Sequence, residues 1–116
     1  DAGQYREAMP LTVASSVVAG RPVVALTGSL DLATVPSLYN ALATTILDHP
    51  ATTIAVDLHG VEAIDDVGLG VLLGAAGRAR RGGGDLVVAT TDQAMRQRFA
   101  LTGFDRAITV MRSVSG

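Results

Sequence analysis

The sequence predicts a single α/β domain: a mixed sheet of four or five strands, with elements in the order β-β-α-β-α-β-α-β. Three observations carry this. Runs rich in β-branched residues, bounded by turn residues, recur along the chain. From the second run onward, successive runs are separated by segments with apolar residues at helical spacing. The chain has 116 residues, 48% of them hydrophobic, which suits one domain with one buried core. Strands joined through single helices imply right-handed crossovers and parallel pairing, whereas two adjacent strands without a helix form an antiparallel hairpin.

The opening pair is "LTVASSVV" (11–18) and "PVVALT" (22–27), separated by "AGR", with Pro22 at a strand start. "DLATVPSLYNALATTILDHP" follows, with Thr34 as a candidate cap, Pro36 in the first turn, and Leu38, Ala41, Leu42 and Ile46 at helical spacing. This helix should end near His49, before Pro50. "TIAVDL" (53–58) is nearly continuous in apolar residues, as a central strand covered on both faces would be. "HGVEAI" reads as a loop, leading into a helix that opens with Asp65 and Asp66 and closes in "RARRGGG", where basic residues and glycines suit a helix C-terminus. "DLVVAT" (85–90) is a further buried strand. "TDQAMRQRFALTG" (91–103) is a helix with Thr91 or Asp92 as cap, Met95 and Phe99 as an apolar pair and Gly103 as its stop. "RAITVM" (106–111) is the last strand. Residues 1–10 are expected to be a flexible leader to a domain spanning 11–116; the chain opens at Asp1, so either upstream sequence is missing or Met9 is the natural start.

Composition excludes several functions. The formal net charge of −2 gives no basic footprint for nucleic acid. All nine basic residues are Arg, which removes Schiff-base lysines and the P-loop lysine. Without Cys there is no disulfide, thiol nucleophile or thiolate metal site, as suits a cytoplasmic protein. No run of 18 apolar residues is present to span a membrane. Neither a serine-hydrolase elbow nor a P-loop occurs, and the G-x-G of "GLGVLLG" lies inside a helix and not before one. Asp57 ends a strand as a receiver-domain phosphoacceptor does, but the acidic pair and lysine that would accompany it are missing. Asp57, His59, Glu62, Asp65 and Asp66 crowd one segment without the dense spacing of a calcium loop, so no metal is expected. His49 and His59 read as loop residues, and no catalytic residues and no cofactor are predicted.

The helix after Asp65 is more informative. At 100° per residue Leu69, Leu72, Leu73 and Ala76 form an apolar face suited to the sheet, and Gly70, Gly74 and Gly77 form a second stripe. Such a stripe permits close approach either of a neighbouring element or of another protein, and spacing alone leaves both open. Asp65 or Asp66 can accept hydrogen bonds from the free N–H groups of the first turn.

Three stretches together resemble the STAS domains, and specifically the anti-sigma factor antagonists of bacterial partner-switching systems. "LTGSLDLATVPSL" is similar to the family's G-x-L-D segment after the second strand. "IAVDLHGVEAIDDVGLGVLLGA" is similar to its strand, D-L-[SG]-x-V-x-x-[IM]-D-[ST]-[ST]-G-[LI] loop and helix. "GGGDLVVATTDQAMRQRFALTGFDRAITV" matches its final segment. The resemblance runs from residue 11 to 111 and implies a STAS-like fold, a small mixed sheet with helices mainly on one face. It implies that the domain binds an anti-sigma factor, a protein with a GHKL-type serine kinase fold, and so frees a sigma factor. In such proteins the kinase phosphorylates the first Ser or Thr after the loop Asp. Asp65 matches that loop Asp, Asp66 occupies the phosphoacceptor position, and Val67 replaces the second hydroxyl residue. Asp is no substrate for a serine kinase, so the resemblance implies either a permanently phosphorylated-like protein or a partner surface adapted to an acid. An Asp supplies one charge where phosphoserine supplies about −1.5 to −2, so mimicry would be partial. The expected partner surface is Asp31, Asp65, Asp66, Val67, Gly68, Leu69, Gly70 and Gly74. The alternatives are a regulatory STAS domain of a larger transporter or stress-signalling protein, and a domain that binds nucleotide weakly.

Overall fold

The computed structural model describes residues 10–115, so the leader expected over 1–10 falls almost wholly outside the described residues. Five strands, β1 (Thr12–Val18), β2 (Arg21–Leu30), β3 (Thr53–Ile64), β4 (Asp85–Ala89) and β5 (Val110–Met111), form one sheet in the order β1-β2-β3-β4-β5. β1 and β2 are antiparallel and all other pairs are parallel. The hairpin turns on Ala19 (φ 52°) and Gly20 (φ 79°), both in the left-handed region, as a two-residue turn matched to strand twist requires.

Four helices complete the chain: α1 (Val35–Asp48), α2 (Asp66–Arg81), α3 (Gln93–Thr102) and α4 (Phe104–Ala107). Because the parallel strands follow in sequence order, each right-handed crossover puts its helix on the same face. The packing agrees: Val24, Leu26, Ile54, Val56, Leu58, Leu86 and Val88 of the sheet share one core with Leu38, Leu42, Leu69, Leu72, Met95 and Phe99 of the helices. On the opposite face Val23, Ala55 and Val87 form a smaller cluster, flanked by Val18, Met111 and Val114.

Four local expectations are corrected. Thr34 stands at the α1 cap position but caps nothing; its hydroxyl donates to the Ser29 carbonyl at 2.7 Å and accepts the Asp31 N–H at 3.1 Å. Asp31 takes over, its Oδ1 accepting from the N–H groups of Ala33 (3.0 Å) and Thr34 (3.1 Å). The segment 59–64, expected as a loop, continues β3. Two register offsets make room for it, since Ala25 and Thr27 of β2 face Asp57 and Gly60, and Gly28 and Ser29 face Val61 and Ala63. Gly60 permits the first offset, because a Cβ there would lie 2.8 Å from the Leu26 carbonyl oxygen. The last strand, expected from 106, begins only at Val110. Gly103 (φ 80°) ends α3 and the chain turns once through α4, burying Phe104 with its ring 4.5 Å from that of Phe99. Finally, Leu73 is exposed, and the α2 face against the core is Leu69, Leu72, Ala75, Ala76 and Ala79.

Candidate functional site

The predicted site residues gather at the C-terminal edge of β2 and β3 and along α2. A backbone hydrogen bond from the Asp65 N–H to the Leu30 carbonyl (3.0 Å) ties the two loops together, placing Asp31 and Asp65 on neighbouring segments. Asp65 is extended (φ −104°, ψ −178°), so its carboxylate folds over the helix start and accepts from the N–H groups of Val67 (3.0 Å) and Gly68 (3.2 Å). Asp66, already inside the helix, cannot do this. Its side chain is 87% exposed and takes one ionic hydrogen bond, from Arg98 Nη2 of α3 at 2.6 Å.

α2 divides the remaining candidates by facing. Gly68 is buried, and a Cβ there would stand 2.9 Å from Leu30 Cβ and 3.1 Å from the Leu30 carbonyl oxygen. Leu69 lies in the core. These two hold the helix against the loop and present no side chain to a partner. Val67 is exposed. Gly70 has nothing within 4 Å of a would-be Cβ, while Gly74 and Gly77 meet only the guanidinium nitrogens of Arg78 (3.7 Å) and Arg81 (3.6 Å). The glycine stripe therefore is not a seam of close internal packing; it leaves a flat strip of backbone open to the outside.

Three residues of the Asp31 loop, α1 and α2 escaped sequence reasoning. Leu32, between Asp31 and α1, is 75% exposed, and Tyr39 on α1 is 46% exposed. Arg78 of α2 lies over the Tyr39 ring, 4.8 Å from its centroid, and its Nη2 is buried without a hydrogen-bond partner. Tyr39 falls outside the Leu38/Leu42 stripe, and Gly70, Gly74 and Arg78 are spaced by four, so one signal was present. Arg98 had none.

Asp57 and Asp85 are committed elsewhere. Asp57 Oδ1 accepts the backbone N–H of His59 (2.9 Å) and lies 2.6 Å from its Nδ1, closing a local turn. Among the described residues no cluster of three or more His, Asp and Glu is arranged to hold a metal ion, and no helix is long and apolar enough to cross a membrane. At the far end of α2, Arg80 bridges to Asp85 Oδ1 (2.8 Å) and to the Ala107 carbonyl (2.6 Å). Partial burial pushes the Asp85 carboxyl up, but the Arg80 hydrogen bond, the Leu86 N–H and the Arg80 charge outweigh it and hold the group below its ordinary value.

A family model described as "Mlab, STAS domain" matches residues 14–112. The chain belongs to the STAS domain family. The STAS domain resembles the crystal structure of an anti-sigma factor antagonist from Mycobacterium paratuberculosis, at 26% identity and TM-score 0.80 over 93% of this chain and 92% of that one. It shares its fold with the Bacillus cell fate determinant SpoIIAA in its phosphorylated form, at 22% identity and TM-score 0.63 over 85% of this chain and 90% of that one. The fold is also that of part of the murine Slc26a9 anion transporter, at 16% identity and TM-score 0.71 over 90% of this chain and 21% of that one. A search of curated proteins finds no match to this STAS domain.

Proposed function

We propose that this STAS domain is a bacterial, cytoplasmic anti-sigma factor antagonist: a non-catalytic module that binds an anti-sigma factor of GHKL-type kinase fold and so frees a sigma factor for transcription. The observation that carries the reading is the end-to-end likeness to the mycobacterial antagonist, over nine-tenths of both chains. The surface supports it. Asp66 and Val67 begin an exposed strip that continues through Gly70 and Gly74, with Tyr39 of α1 joined to it through Arg78 and Leu32 exposed on the Asp31 loop. Asp31 and Asp65 shape this surface from behind through their backbone hydrogen bonds.

Asp66 takes the phosphoacceptor-equivalent position, and its pairing with Arg98 favours one of the two readings of an acid there. A carboxylate with a guanidinium 2.6 Å away presents less net charge to a partner than the free dianion of phosphoserine. We therefore read the domain as an antagonist that binds with Asp66 in place and is not switched at this position. Affinity for the cognate anti-sigma factor, measured for wild type, Asp66→Ser and Asp66→Ala, tests this. Wild type should bind within a few-fold of Asp66→Ser; binding weaker by tenfold or more would establish the mimic instead.

A second reading rests on the likeness to the murine transporter, in which a STAS fold is about one-fifth of a longer chain. The length of the complete gene separates the two, since a transporter must encode spans of about 20 apolar residues.

A further inference from the structure

Among the described residues β1 ends the sheet, and nothing guards its outer edge. Natural sheets protect such edges with Lys, Pro, bulges or very short strands. β5, at the other end, has two residues; β1 has seven, "TVASSVV", with no charge, no proline and an unbroken register against β2.

The register fixes which groups point outward. The two-residue turn closes on Val18 and Arg21 as a hydrogen-bonded pair, so in alternation Ser16, Ala14 and Thr12 also turn their N–H and C=O toward β2. Val17, Ser15 and Val13 turn theirs away, where the described residues hold no strand. The side chains of these same three residues lie on the helix face of the sheet, opposite Pro22, Val24 and Leu26. Among the described residues no helix covers them there. Val13 is 37% and Val17 62% exposed, and Val13 and Ser15 line a groove of about 360 Å³ whose far wall is Asn40, Thr44 and Asp48 of α1.

We infer that β1 is the seam of a homodimer, pairing antiparallel with β1 of a second copy about a two-fold axis through Ser15. The occupant follows from self-complementarity. With Ser15 facing its own counterpart, Val13 of each copy faces Val17 of the other, and all three outward residues fall on hydrogen-bonded pairs. The valines, left bare in one copy, then meet across the seam and fill the grooves between the two α1 helices. No charged residue stands on β1 to oppose this, and the two five-stranded sheets become one of ten strands.

Sedimentation of the full chain with Ser15→Lys and Ser15→Glu variants tests the inference, with circular dichroism to verify folding. On the axis each variant sets like charges directly opposite one another, so either alone should weaken dimerisation about fivefold. An equimolar mixture should restore association, because the introduced ammonium and carboxylate then face each other. Should a Ser15 variant not fold, Val17→Glu and Val13→Lys test the neighbouring pair: each alone sets its charge opposite a valine, and the mixture, which sets carboxylate opposite ammonium, should associate more tightly than either. A wild type that stays monomeric at about 100 µM would overturn the inference. So would a dimer indifferent to both Ser15 variants, or a mixture no tighter than its components. Dimerisation only after removal of residues 1–9 would likewise overturn it, by placing the chain's own N-terminal segment on the edge.

Discussion

Asp65 and Asp66 are neighbours of identical chemistry, and the helix boundary between them assigns their roles. Asp65, in extended backbone, reaches two free N–H groups of α2; Asp66, one residue into the helix, reaches none and turns to Arg98. Truncating them should therefore differ in effect. Asp65→Ala should cost about 1 kcal/mol in urea denaturation, the usual value of a lost cap. Asp66→Ala should cost less than about 0.5 kcal/mol, since an exposed ion pair contributes little and Ala is the better helix former. Local spacing put both acids at the helix start without saying which one caps it; the resemblance to the family motif singled out Asp66. Its Arg98 partner was not legible, because it stands 32 residues away on α3 and only the tertiary fold brings it near. Asp85 gives a pH prediction. Its folded-state pKa is lowered, so its pairing with Arg80 contributes stability above the unfolded value and loses it as pH falls through the folded one. Arg80→Ala should thus destabilise the domain at neutral pH, by less than about 1 kcal/mol for so exposed a pair. Its urea midpoint should approach that of wild type as the pH is lowered toward 3.

At the scale of elements, the glycines of α2 separate packing from surface. Gly68 sits against Leu30 and Ile64, so Gly68→Ala should destabilise by about 1–3 kcal/mol, as overpacking does. Gly70 faces open space, so Gly70→Ala should stabilise the helix by up to about 1 kcal/mol. If the strip is the contact surface, that same Gly70→Ala variant should bind the anti-sigma factor more weakly while melting higher; paired melting and binding measurements check both. Periodicity located α2 and its glycine stripe, but it could not tell Gly68 from Gly70, because the difference is made by Leu30 on a distant strand. The same limit explains the misread ends of β3 and β5. Residues 59–64 read as a loop, yet the offsets that keep them in the sheet are set by β2. Residues 106–107 read as strand, yet burial of Phe104 against Phe99 winds them into a helical turn.

For the whole molecule, strand order does most of the positioning. Consecutive parallel strands place every crossover helix on one face and every strand-to-helix loop at one edge of the sheet, which brings Asp31 beside Asp65 although they are far apart in sequence. That architecture was legible because alternating strands and helices permit few topologies. The partner surface was legible only in part: the acids and glycines announced themselves, whereas Leu32 and Tyr39 became visible once α1 and α2 lay side by side. The central claim is that this surface binds an anti-sigma factor with Asp66 as a fixed residue, beyond the reach of a serine kinase. The most direct measurement is survival of the complex with a GHKL-fold anti-sigma factor from the same cell after addition of ATP, comparing wild type with Asp66→Ser. The wild-type complex should persist while the Asp66→Ser complex dissociates as its new hydroxyl is phosphorylated. A wild type that binds no such factor, or one released by ATP as readily as Asp66→Ser, would contradict it.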